Sequence, residues 1–149
     1  MRGYTHILIP VDFTETTSDV IDTAIAIAEK FDAKITVMHA FFVYPFAYAG
    51  GLYVPSEDIT RKAQEVLDAT RNDIRLRYPN TDSVLATTDA RDAILEIART
   101  RGADLIVMGT HGRRGVSRAL LGSVAEHVVR FSPIHVLTVS RRNEPKEKT

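Results

Sequence analysis

The chain contains no cysteine. Disulfides, thiolate metal sites and cysteine nucleophiles are therefore excluded, and the absence suits a reducing compartment. A surplus of one charge is also missing: 19 Lys and Arg balance 19 Asp and Glu over 149 residues. Proteins whose main partner is nucleic acid or an anionic membrane carry a basic surplus, so neither partner is expected here. No apolar run approaches the roughly 20 residues needed to cross a bilayer, so membrane insertion is not expected either. Met1 to His6 leads straight into an apolar run, without the long apolar segment and small-residue cleavage site of a signal peptide. The expected location is cytoplasmic. The length predicts one domain with a sizeable core, ending in a charged, frayed tail over 141–149.

Short apolar runs alternate with helical patterns along the chain. His6 to Val11 is apolar without polar alternation, which suits a strand covered on both faces. Thr17 or Ser18 is placed to cap a first helix, followed by Val20, Ile21, Ala24, Ile25, Ala28 and Phe31 at helical spacing. Lys34 to Val43 reads as the second strand. Residues 44–55 hold two prolines, two glycines and four aromatics, and read as an unusually apolar loop. A second helix starts near Ser56 and runs to Arg77, before Pro79. Ser83 to Thr88 reads as the third strand, with Asp89 or Asp92 opening a third helix. Residues 104–108, 122–131 and 134–139 complete the pattern as strand, helix and strand. This β-α alternation predicts an α/β fold: a Rossmann-like, open five-stranded parallel sheet with helices on both faces. An order of 3-2-1-4-5 puts its ligand crevice between strands one and four, with Asp12 beside Gly109.

The segment Gly109-Thr110-His111-Gly112-Arg113-Arg114-Gly115, followed by Gly122-Ser123, joins the fourth strand to the fourth helix. Glycines there let backbone N–H groups approach an anion closely, and a helix N-terminus adds unpaired N–H groups and partial positive charge. Together they make a phosphate site. The dinucleotide fingerprint G-x-G-x-x-G is absent, and so is the lysine of a Walker A loop. The spacing present is G-x-x-G, nine residues, then G-S. Arg113, Arg114 and His111 are either phosphate contacts or solvated turn residues. Asp12 is either a ribose acceptor or a loop-capping carboxylate, and Ser123 either caps its helix or donates to phosphate.

That glycine spacing is similar to the phosphate-binding pattern of the universal stress protein family. Ile7-Leu8-Ile9-Pro10-Val11-Asp12 resembles the family's first strand, and Asp104 to Arg113 resembles its most recognisable block. Leu120 to Val128 and Ser132 to Val139 extend the resemblance over roughly residues 3–140. The resemblance implies a 3-2-1-4-5 sheet that binds ATP; Mg²⁺ or Mn²⁺ is expected with the phosphates, because no lysine offsets their charge. By the same resemblance, Gly109, Gly112, Gly122, Ser123 and Val124 meet ribose and phosphates. Asp12 bonds ribose or the metal. Pro10, Val11, Ala40 and Met108 border the adenine, Ala40 through its backbone. The resemblance also implies a homodimer through strand 134–139, an apolar edge that needs covering.

The chain departs from the family where Thr88-Asp89-Ala90 replaces a common Gly-x-Pro. The 44–55 loop either folds over the adenine, meets a partner chain or packs on its own core. Nothing in the sequence carries catalysis: there is no HExxH and no Ser-His-Asp order, and the loops of adenylate-forming enzymes are absent. His6, His39, His111, His127 and His135 have no metal-ligand spacing, and His39 and His135 read as satisfied core residues. A nucleotide-dependent stress-response or regulatory module is therefore expected. The alternatives are a slow ATPase or autophosphorylating enzyme, and a nucleotide-free dimeric interaction protein.

Overall fold

The computed structural model describes residues 3–42, 46–48, 50–53, 57–110 and 121–141, with the backbone alone for 46–48 and 52–53. The chain runs β1 (His6–Pro10), α1 (Thr17–Phe31), β2 (Lys34–Ala40), β3 (Phe46–Tyr48), β4 (Gly51–Tyr53), α2 (Glu57–Arg77), β5 (Thr81–Ala86), α3 (Ala90–Arg101), β6 (Leu105–Gly109), α4 (Ser123–Phe131) and β7 (His135–Val139). The main sheet has the order β5-β2-β1-β6-β7, and its pairings are all parallel. With β3 and β4 set aside, this is the expected 3-2-1-4-5.

Strand β1 lies at the centre because its residues can bury both faces. Ile7 and Ile9 pack under Val20, Ala24, Leu67 and Ile74 from α1 and α2. Leu8 points the other way, into Ala93, Ile94, Ala98, Ala125 and Val128 from α3 and α4. All three β1 side chains are fully buried. Burial of a large aliphatic side chain contributes about 1.5–3 kcal/mol, so this strand anchors both layers.

The structure corrects several expectations. Residues 46–53 are not a plain loop: β3 and β4 form an antiparallel hairpin, pairing Phe46 with Tyr53 and Tyr48 with Gly51. The rest of the predicted loop, residues 44–45, 49 and 54–55, lies outside the described residues, as do 43, 56 and 142–149. Strand β2 stops at Ala40 rather than Val43, and β5 begins two residues early, at Thr81. Neither Thr17 nor Ser18 caps α1: the N-cap is Thr16, whose side chain makes no capping bond. Asp89, not Asp92, caps α3 by accepting from the Arg91 N–H. His39 is buried and bonded as expected, but His135 is exposed on the edge strand, with Nδ1 3.0 Å from the Tyr4 hydroxyl. An edge strand shows one side to solvent however apolar its run.

The start of β1 is pinned to the start of β6 by Asp104. Its carboxylate accepts from the Thr5 N–H at 2.9 Å, the Thr5 hydroxyl at 2.7 Å and the His6 N–H at 3.0 Å. The Asp104 N–H returns a bond to the His6 carbonyl. Partial burial pushes the Asp104 carboxyl up, but the Thr5 and His6 hydrogen bonds outweigh it and hold it below its ordinary 3.8. A depressed carboxyl contributes stability that is present above its unfolded value and lost as pH falls through its folded value. Asp104→Asn is therefore expected to cost about 1 kcal/mol at pH 7, the modest size reflecting partial exposure. Urea denaturation at pH 7 and again below pH 3.8 checks this, the difference from the native chain shrinking at the lower pH.

Candidate functional site

The chain leaves β1 toward β2 and leaves β6 toward β7, so the loops after these neighbouring strands diverge. Divergence at a sheet's carboxyl end opens a crevice. Here it has a volume of about 350 Å³, in the range of small-ligand pockets. Pro10, Val11 and Asp12 line it from the end of β1, Ala40 from β2 and Met108 and Gly109 from β6. Gly122, Ser123 and Val124 line it from the start of α4. The structure thus brings together all the predicted site residues except His111, Gly112 and Arg113, which lie outside the described residues with the rest of 111–120.

The two ends of the glycine segment are tied together. The Gly122 N–H donates to the Thr110 carbonyl at 2.7 Å, and the Thr110 N–H donates to the Val139 carbonyl at 3.1 Å. Gly109 and the α4 N-terminus are held side by side as a result. Gly122 is the N-cap, at φ −61° and ψ 158°, and makes no side-chain cap. Any residue adopts that conformation, so glycine there provides room rather than an unusual dihedral angle. Its own N–H is already used. The first intrahelical bond runs from Glu126 N–H to Gly122 C=O, which leaves the N–H groups of Ser123, Val124 and Ala125 at the helix mouth. Ser123 is the first helical residue, so its hydroxyl is not the helix cap.

Both readings of Asp12 hold in part. Its Oδ1 accepts from the Thr14 N–H at 3.0 Å and the Thr14 hydroxyl at 2.6 Å, closing the turn after β1. Its Oδ2 makes no hydrogen bond among the described residues, which leaves an acceptor at the crevice. Asp12 is the one acidic residue among the described lining residues. No cluster of three His, Asp or Glu suited to a metal occurs among the described residues.

Sequence reasoning missed the α1 and β2 side of the wall, notably Thr14, Thr17, His39 and Phe41. The Asp-x-Thr spacing of Asp12 and Thr14 was an available signal for the turn. Thr17 and His39 carry no such signal, because only the packing of α1 over β2 brings them here. Thr17 Oγ1 is buried without a hydrogen-bond partner among the described residues. Buried hydroxyls rarely stay unpaired, and this residue also lines the crevice.

Comparison with known proteins assigns the family. The model of the universal stress protein family matches residues 3–140. A universal stress protein of Methanocaldococcus jannaschii is 33% identical, over 93% of this chain and 83% of its own. The structure of UspA from Lactobacillus plantarum superposes with a TM-score of 0.75 at 22% identity, covering 92% of this chain and 98% of that one. A universal stress protein crystallised in complex with cAMP superposes with a TM-score of 0.67 at 26% identity, over 93% and 98%. Sequence pattern, sheet order and crevice agree with these matches: the chain belongs to the universal stress protein family.

Proposed function

We propose that this chain binds ATP, with Mg²⁺ or Mn²⁺, in the crevice and works as a nucleotide-dependent regulatory module of the stress response. One observation carries the reading: the open N-terminus of α4 lines the same crevice as Asp12, whose Oδ2 makes no hydrogen bond among the described residues. Three N–H groups at a helix mouth suit phosphate oxygens. A carboxylate oxygen at the end of a strand suits ribose hydroxyls. The apolar wall of Pro10, Val11 and Met108 suits the face of a purine. The cAMP carried by the solved relative belongs to the same ligand class.

The donor set also fits a metal that arrives with the phosphates. Mg²⁺ is commonly held by one or two carboxylates together with phosphate oxygens and water. Asp12 supplies one carboxylate oxygen, and the metal supplies the positive charge that a Walker lysine gives elsewhere. Alternation along β2 turns the Ala40 peptide toward β1, at the adenine end of the same wall.

The second part of the reading is a homodimer through β7. That strand pairs only with β6 among the described residues, which leaves its outer edge open. Leu137, Val129 and Phe131 are exposed on and beside it. Apolar edges of this kind recruit a second strand or sheet.

Gly122→Val places two methyls at the helix mouth while keeping an allowed backbone. It is expected to weaken ATP binding at least tenfold, about 1.4 kcal/mol, with the melting temperature little changed. Isothermal titration calorimetry checks it, and an unchanged affinity removes the α4 mouth from the site. Asp12→Ala is expected to weaken binding more in the presence of Mg²⁺ than in its absence; equal losses would assign Asp12 to the ribose alone. Leu137→Lys, at a half-exposed position rather than in the core, is expected to yield monomers in light scattering. A persistent dimer would place the interface elsewhere.

A further inference from the structure

The β1–β2 ladder ends one step before it needs to. The strands pair from His6–Lys34 to Pro10–Met38, and the last bond runs from Val11 N–H to Met38 C=O at 2.8 Å. Peptide groups alternate sides along a strand. Met38 turns its carbonyl to β1, and Phe41 donates its N–H to Ala86, on the β5 side. Ala40 therefore turns both its N–H and its C=O to the β1 side. One further rung would join the Ala40 N–H to the Val11 carbonyl.

That carbonyl is engaged elsewhere. It lies 2.7 Å from His39 Nδ1. A carbonyl can only accept, so Nδ1 carries the hydrogen and donates. Ile35 and Val37 point to the α1 and α2 layer, and the period of two puts His39 on the same side. The Val11 carbonyl is held by this ring, and the ladder shows no rung from the Ala40 N–H to it. The imidazole is fixed by its neighbours: the Phe13 ring lies 4.6 Å away and the Phe41 ring 6.1 Å, nearly parallel. Phe13 itself has φ 58°, a left-handed conformation that bulky residues seldom adopt. It bends the chain directly after Asp12. Ala40 and His39 both line the crevice.

We propose that His39 is a positioning residue for base recognition: by holding the Val11 carbonyl it stops the ladder early and leaves the Ala40 N–H and C=O as a donor–acceptor pair for adenine. The amide would donate to the ring nitrogen N1, and the carbonyl would accept from the exocyclic amine. Hypoxanthine presents the reverse pattern, an N1–H donor beside a carbonyl acceptor, and is rejected. The adenine part rests on the nucleotide reading above; the ladder part does not.

The test separates the two. Amide hydrogen exchange of the ligand-free protein, followed by NMR, reads the Ala40 N–H directly. Fast exchange is expected in the native chain. In His39→Leu the Val11 carbonyl is released, and the Ala40 amide should be protected at least tenfold as the missing rung forms. His39→Asn carries an amide N–H near the Nδ1 position and should keep fast exchange. His39→Gln, which reaches too far, should behave like the leucine variant and replaces it if that variant does not fold. An Ala40 amide that is protected in the native chain, or unchanged by both Leu and Gln, overturns the positioning role whatever the crevice binds. Calorimetry with AMP and IMP then reads recognition. The native chain and His39→Asn should prefer AMP at least tenfold, and His39→Leu should lose most of that preference. A preference unchanged in His39→Leu overturns the recognition role. Absence of AMP binding by the native chain counts against the nucleotide reading and leaves the exchange result standing.

Discussion

The structure depends on β1 being buried on both faces while its chain leaves in the opposite direction from that of β6. Ile7 and Ile9 hold α1 and α2, and Leu8 holds α3 and α4. A strand so enclosed cannot shift register without moving apolar side chains into the wrong layer. Asp104 fixes the start of the same strand against β6 through its bonds to Thr5 and His6. With its register fixed, the far end of β1 delivers Asp12 to one place beside Gly109. The crevice follows from this topology.

Polar groups at the crevice are left over by secondary structure and then aimed by short contacts. Thr110 and Gly122 close the glycine segment at its base, which brings the α4 mouth up to the end of β6. Thr14 uses one oxygen of Asp12 and so sets the direction of the other. His39 takes the Val11 carbonyl. These contacts lie where strands and helices end and fix polar groups in place, and such preorganisation lowers the ordering cost of binding.

The sheet was legible in the sequence because uninterrupted apolar runs such as Ile7-Leu8-Ile9 occur in strands covered on both faces. The order of strands followed from fold rules and from the family resemblance. The β3–β4 hairpin was not legible: residues 44–55 show prolines and glycines, and the pairing of Phe46 with Tyr53 leaves no alternation to read. The apolar run from Ile134 to Val139 suggests burial for His135, but the strand is the edge that the expected order makes it, and the side chain is exposed. At the site, residues with a chain-local signal were found, among them Asp12, Gly109 and Gly122-Ser123. His39 was read correctly as a buried, bonded histidine, but its place in the crevice wall depends on where β1 stops, which no local pattern records.

Native mass spectrometry of the purified protein with ATP, and separately with GTP, tests the central claim most directly. The account predicts one ATP per chain, with Mg²⁺ raising occupancy, and much less GTP at the same concentration. No nucleotide adduct, or equal occupancy by the two, would contradict it.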